Sequence, residues 1–428
     1  IKRMKRIDFF LLLSENLFDY IVILLITTII MWGIIKKSCD SLINPLCFNL
    51  IMAAFANTVP IFLFVESIID FNYFIYFLAA ELFFWIVFVH YYTNHDSFSK
   101  KIALKLDFND VTILYYCFSI LFFLFFVIQL KYFNFGLFLS ERLAVFKDAG
   151  GLGVISRIAS FVTIFNIFYL YHVLDNLKKL PIQIVFISII VSLFVLAYIF
   201  LSGAKSALLQ VVFQYYFYCV AFKRCMPSKK VMRTLLCVAV IGSLLIFSKY
   251  NDETGLSGTI ISLINRMVAN GDGYWYGYPN EVIETLEPAP WYIDLAGPFL
   301  YGLRIKDYSE SIPGIGTQLV YAIMPDKYGM MIGANSRPPI WGYVMFGNCG
   351  VAFSIVWGMI LGIMAQKAKT MFSTGIVGLT FGYILFMSVL AGITDPKLTF
   401  MSLFDGFIGL VITGFFIFII CLSRRGTN

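Results

Sequence analysis

The fold class predicted for this 428-residue chain is an all-α, polytopic membrane helical bundle, and three observations predict it. Hydrophobic residues make up 60% of the chain, charged residues only 13%, and the mean hydropathy is +0.84, far from soluble norms. Apolar runs of about 18 residues or more, the length a helix needs to cross a roughly 30 Å hydrocarbon layer, recur along the chain. They are too long and too unalternating for barrel strands, and a helix satisfies its own backbone polar groups in lipid.

About eleven spans are expected, within a range of ten to twelve. The first covers 16–35 and ends in Lys36 and Lys37 with no small-residue cleavage site, so it reads as a retained helix rather than a signal peptide. Spans at 46–65, 72–92, 111–130, 154–174, 182–201, 206–222 and 232–249 complete an N-terminal bundle, 1–249, of about eight spans with an outer loop at 131–153. Residues 250–338 form a large loop, and spans at 339–364, 373–391 and 399–422 make a C-terminal bundle, 339–428. The eight cysteines contain no CxxC pair and none lies between 250 and 338, so they read as small core residues rather than a zinc site or disulfide framework.

Basic loops orient the spans, because Lys and Arg accumulate on the cytoplasmic side. FKRCMPSKKVMR (222–233) is the strongest such loop, and DNLKKLP, KKIALKL, QKAK and the terminal SRRGTN agree with it. Alternation then sends 66–71, 131–153, 202–205, 250–338 and 392–398 to the outer face. It also puts the basic IKRMKR end outside, against the rule, so either one span is miscounted or that segment lies along a surface.

The loop 250–338 holds seven of the thirteen prolines, eleven glycines, and ten acidic against five basic residues, a net −5 in a chain of +7. A loop this long tends to be functional. SGTIISLINRMVAN and TQLVYAIMPD have helical spacing and stop signals, and read as short helices at the outer interface. Between them lies YWYGYP with Tyr274, Trp275, Tyr276 and Tyr278, then Glu281, Glu284 and Glu287, then Trp291 and Tyr292. Rings beside carboxylates suit a glycan surface, with aromatic faces for sugar C–H groups and acids for hydroxyls. An aromatic belt at the membrane interface accounts for the same residues, and both readings stand.

Five of the outer-side cations could converge on one outer-leaflet site. Arg142 and Arg266 lie in the loops, while Arg157, Lys205 and Arg337 stand at the starts of helices whose N-termini already favour anions. Guanidinium groups bind phosphate oxygens bidentately, so the set suits a diphosphate, although each cation alone reads equally as a snorkelling or flanking charge. Inside the spans, Glu81 and Asp405 are pathway or pairing candidates, and Asp395 with Lys397 sits in TDPK near the outer side. The histidines, His90, His95 and His172, all map to inner helix ends.

The run LSGAKSALL, the stretch PDKYGMMIGANSRPPIWGYVMFGNCGVAFSIVWGMILG, and the long late loop resemble the O-antigen and oligosaccharide repeat-unit polymerases, the Wzy family. Two equal spacings, Arg142 to Gly153 and Arg266 to Gly277, also resemble arrangements of that family, whereas Lys205 stands where related sequences often carry arginine. The resemblance covers about two thirds of the chain as architecture and scattered residues. It implies a GT-C-like membrane glycosyltransferase of the bacterial cytoplasmic membrane with its active site facing the periplasm. Such an enzyme extends undecaprenyl-diphosphate-linked repeat units of a surface polysaccharide without metal or cofactor. A chain-length regulator and a flippase are the implied partners, and no nucleic acid is called for. In this chemistry Arg142 and Arg266 carry the diphosphate, Arg157, Lys205 and Arg337 support them, and Asp272 accepts the acceptor's proton. Tyr274, Trp275, Tyr276, Glu281 and Trp291 contact glycan. A lipid-linked oligosaccharide flippase, with charges buried along a central path, is the main alternative. An O-antigen ligase or O-acyltransferase would be expected to use an outer histidine.

Overall fold

The computed structural model describes residues 4–36, 38–39, 44–94, 108–132, 135–138, 153–203, 207–223, 228–249, 255–307, 311–330 and 332–425. Among these the secondary structure is helical. The helices are α1 (Arg6–Glu15), α2 (Leu17–Ile35), α3 (Pro45–Val65), α4 (Phe71–Asn94), α5 (Phe108–Tyr132), α6 (Gly153–Asp175), α7 (Ile182–Leu201), α8 (Ala207–Tyr218), α9 (Lys229–Lys249), α10 (Gly255–Val268), α11 (Asp272–Gly277), α12 (Trp291–Gly302), α13 (Ile315–Ile323), α14 (Pro338–Phe346), α15 (Gly350–Phe372), α16 (Ile376–Thr394) and α17 (Pro396–Arg425). Nine helical stretches among the described residues are long and apolar enough to cross a membrane. Of the other expected spans, 206–222 is a shorter apolar helix at Leu208–Phe222, and 232–249 falls within α9. Cys39 and Cys47 have paired sulfurs, where the sequence suggests only small core residues.

The chain divides into two compact units. The first comprises Ile1–Phe98, Ile261–Gln366 and Phe386–Ser402; the second comprises Ser99–Ile260, Lys367–Leu385 and Leu403–Asn428. In the second unit, α5 packs on α6 through a stacked Tyr115–Tyr169 pair with centroids 3.9 Å apart, and Phe118 meets Phe161, Phe165 and Phe416 edge-on. Two ion pairs tie α17 to the same helices, Arg424 with Asp110 and Arg157 with Asp405.

The first unit positions the candidate site. Helix α3 starts at an Asn44 cap, whose side chain accepts from the Leu46 amide at 2.9 Å, followed by Pro45, whose fixed φ suits a first helical position. It runs to Val65, turns through Ser67 (φ 57°), and returns as α4. Asn57 lies eight residues before the end of α3 and Glu81 ten after the start of α4. At about 1.5 Å per residue both sit roughly 12–15 Å below that turn, about half of a bilayer's hydrocarbon thickness.

The loop expected at the outer surface descends to this depth. A Cβ at Gly271 would lie 2.7 Å from the Ala56 carbonyl oxygen, nine residues inside α3, so only glycine allows the approach. Val268, Ala269, Tyr274, Trp275, Tyr276 and Tyr278 join one apolar core with Val59, Phe62 and Phe77 of α3 and α4. Such non-helical backbone is tolerated at membrane depth because it is enclosed by protein.

The expected span at 339–364 is two helices. Arg337 lies beside Glu81, the Tyr76 hydroxyl reaches the Pro339 carbonyl at 3.0 Å, and Tyr343 meets Tyr73 at 5.5 Å, so α14 climbs along α4 toward its start. The chain reverses at Gly347 (φ 57°), and α15 descends with Gly358 against the Phe84 backbone and Gly362 against that of Phe88. The N-terminus of α14 is therefore halfway along α4, not at its outer end as the sequence suggests.

Helix α1 begins at Arg6, the last residue of the basic end, of which residues 1–3 lie outside the described residues. It is a separate short helix, docked by Phe9, which stacks on Trp275 at 4.3 Å and meets Phe62 at 6.3 Å near the end of α3 that leads into the 66–70 turn. Tyr20, early in α2, packs on the same Phe62 at 5.5 Å. Helix α1 thus lies along the end of the first unit that the loop charges assign to the outer face.

Candidate functional site

Three consecutive residues organise the site. Asn335, Ser336 and Arg337 precede two prolines, which hold the segment extended before α14 begins. Each pairs with a different carboxylate. Asn335 donates its backbone amide (2.7 Å) and its side-chain amide (3.1 Å) to Asp272 Oδ1. The Ser336 hydroxyl donates to Asp395 Oδ2 at 2.7 Å, and Arg337 Nη2 lies 3.3 Å from Glu81 Oε1.

Glu81 is deeply buried, and its Oε1 also accepts from Asn57 (2.6 Å) and from Trp85 Nε1 (2.8 Å). A charge at this depth persists only with such pairing. Arg337 is 2% exposed, and Asp294 anchors the next turn, accepting from Trp341 Nε1 at 2.9 Å and from Lys397 Nζ at 3.0 Å. Arg337 is thus a buried, neutralised cation rather than one presented at an outer helix end. Its role in this geometry is to hold α14 to α4.

Two acids outside the spans are strongly perturbed. Burial raises the Asp272 pKa from 3.8 to about 6, opposed by the Asn335 amides and the charge of Arg266. Burial likewise raises Asp395 to about 6, opposed by the Ser336 hydroxyl and the Lys397 amide. A carboxyl tuned toward neutrality is what proton transfer requires. Arg266 itself is exposed, with no ion pair or side-chain hydrogen bond among the described residues, and sits on the turn just ahead of Asp272.

The aromatic run is neither an interfacial belt nor an open glycan platform. Tyr274 and Tyr278 are 0% and 1% exposed, Trp275 is covered by Phe9, and Tyr276 is buried. Burial drives the hydroxyls of Tyr274 and Tyr278 well above the ordinary tyrosine range. Glu281 is exposed and sits with Asn280 in left-handed backbone (φ 58° and 54°), a strained pair. Its neighbour Glu284 accepts from Tyr73 at 2.7 Å and Tyr343 at 3.0 Å. Trp291 is half exposed at the start of α12.

Of the remaining sequence candidates, Arg157 lies in the second unit, paired with Asp405 and placed 5.2 Å from the Phe404 ring centroid. Arg142 and Lys205 lie outside the described residues. Sequence reasoning singled out Asp272, Arg266, Arg337 and Glu81 but missed Asn335, Ser336 and Asp294, which join them. The one signal was the polar run NS ahead of RPP, an unusual set of donors at a helix start.

No family model matches the chain, and no curated protein and no solved structure matches it either.

Proposed function

We propose that the chain is a membrane glycosyltransferase that polymerises polyprenyl-diphosphate-linked oligosaccharide units at the outer face of a bacterial cytoplasmic membrane. The observation that carries this reading is an exposed guanidinium, Arg266, in the last turn of α10, whose charge acts on a buried carboxyl with its pKa raised to about 6, Asp272, six residues on at the start of α11. The acceptor hydroxyl of one lipid-linked unit attacks the anomeric carbon of another. Its C–O bond forms as the bond to the diphosphate breaks, the proton passes to Asp272, and the electron pair leaves with the diphosphate. Arg266 stabilises the charge that accumulates on that leaving group. Arg337 and Glu81 keep α14 and the Asn335 donors in register behind Asp272. Arg142 and Lys205 stay in the proposal through the family resemblance alone.

A flippase for the same lipid-linked glycan is the second reading. The buried Glu81–Arg337 pair halfway along α4 favours it, since a transport path needs polar groups at that depth. The surface-glycan ladder of a deletion strain separates the two. Complementation with Arg266→Ala or Arg142→Ala at wild-type protein levels is expected to give a single repeat unit on the acceptor lipid. Loss of every repeat, including the first, points to export and sinks the polymerase reading.

A further inference from the structure

The buried pair of Glu81 and Arg337 sits among polar atoms that the protein itself leaves unsatisfied. Arg337 Nε, Asn57 Oδ1 and the hydroxyls of Tyr274 and Tyr278 are buried and have no hydrogen-bond partner among the described residues. Arg337 and Asn57 both meet Glu81 Oε1, through Nη2 at 3.3 Å and Nδ2 at 2.6 Å. Their unpartnered atoms are each two covalent bonds from those contacts, so both lie beside the same carboxylate. The Arg337 guanidinium also lies beside the Tyr274 hydroxyl without hydrogen-bond geometry, and the charges of Glu81 and Arg337 both act on it. The Tyr278 ring is 5.5 Å from that of Tyr274, and Glu81 acts on its hydroxyl as well.

Helical spacing carries this polar set to the outer end. Tyr73, Phe77 and Glu81 follow at four-residue steps on one face of α4. Tyr278 stacks on Tyr73 at 5.3 Å and Tyr274 meets Phe77 at 5.2 Å, so the loop runs antiparallel beside that face, turn matched to turn. At the top of this seam the Tyr73 hydroxyl donates to exposed Glu284 at 2.7 Å. Buried polar groups left unmet are costly, and four in one place are more than a marginally stable fold carries without compensation. Whatever meets them must both give and accept hydrogen bonds. An anion would face Asn57 Oδ1 and Glu81, a cation would face the Arg337 guanidinium, and only a small hydroxylic guest suits all four atoms. We propose that ordered water fills this seam, bridging Arg337, Asn57, Tyr274 and Tyr278 and hydrating the Glu81–Arg337 pair from the outer end. Four polar partners are what one or two buried waters require, at about three hydrogen bonds each. This water belongs to the fold, whichever of the two reactions above the chain performs.

The test is X-ray hydroxyl-radical footprinting of the full chain in nanodiscs, read residue by residue by mass spectrometry. Radicals made from bound water modify the side chain beside them, so a hydrated ring is labelled however deeply it is buried. Phe62, equally buried among the rings of Phe9 and Tyr20 in the same unit, is the dry reference, and half-exposed Tyr292 is the wet one. Tyr274 and Tyr278 are expected to label at least about tenfold faster than Phe62 and to approach the rate of Tyr292. Tyr274→Phe and Tyr278→Phe, which remove only the hydroxyl, are each expected to lower the Tm by about 1–3 °C, because the water loses a partner. A dry, unpartnered hydroxyl gives the reverse, since deleting it relieves a buried polar group. Labelling of either tyrosine no faster than Phe62 overturns the proposal. A Tm unchanged or raised in either variant overturns it as well.

Discussion

Replacing Arg337 by methionine tests whether this cation is structural. Arg337 is 2% and Glu81 7% exposed, and Glu81 Oε1 receives Arg337, Asn57 and Trp85. Methionine fills a similar volume but leaves the carboxylate with two neutral donors and no opposing charge. Breaking a buried pair in this way costs about 3–5 kcal/mol. Glu81→Gln in the same chain removes the orphaned charge while still accepting from Asn57 and Trp85, so the double variant should regain about 2 kcal/mol of that loss. The assay is reversible unfolding in mixed micelles by SDS titration, followed by tryptophan fluorescence, for both single variants and the double. A loss below about 1 kcal/mol for Arg337→Met, the scale of an exposed ion pair, would refute the reasoning. Strictly additive effects would do so too, since the two charges would then be acting independently.

Other outcomes follow from the same geometry. Asp272 must be ionised to accept a proton, so transfer activity should rise with pH through about 6, and Asp272→Asn should abolish both the activity and that dependence. Stability moves the opposite way: with a folded pKa raised from 3.8 to about 6, the folded state holds the proton more tightly. Stability is therefore greatest below about pH 4 and declines toward 6, by about 3 kcal/mol at most per group. Asp395 titrates in the same window, so Asp272→Asn should remove only part of that slope in a pH series of unfolding curves. A Cβ at Gly273 would collide with the Asn335 carbonyl oxygen, and Gly273→Ala should cost about 1–3 kcal/mol by thermal unfolding. Gly414→Ala, where nothing would meet the new methyl group, should be neutral or slightly stabilising in the same measurement. Phe9→Ala should undock α1, seen as faster hydrogen exchange over 6–15 with α3 unchanged.

The helical class and most spans were legible because lipid forces long apolar runs into helices, and no tertiary contact is needed to read them. What composition could not reveal is where a polar segment turns inward. The loop 250–338 is acidic and rich in glycine and proline, which reads as solvent-facing, yet Gly271 and Gly273 serve close packing against Ala56 and Asn335 instead. The run of apolar residues after Arg337 hides a helix break, because Gly347 reverses the chain inside a stretch that hydropathy treats as continuous. At the site, Glu81 was visible as a charge out of place, but its partner stands 256 positions later and no local pattern joins them. Asp272 stands out in the sequence by its place between Arg266 and the aromatic run. The burial that tunes it does not, since that comes from α3, from Asn335 and from the rings expected to face a ligand.

The most direct test of the central claim is polymerisation by the purified chain in nanodiscs supplied with lipid-linked repeat units, comparing wild type with Asp272→Asn and Arg266→Ala. The account predicts a ladder of products from the wild type and none beyond the starting unit from either variant, with both variants folded. A full-length ladder from Asp272→Asn, or no elongation by the wild type beside measurable movement of the lipid-linked unit across the bilayer, would contradict it.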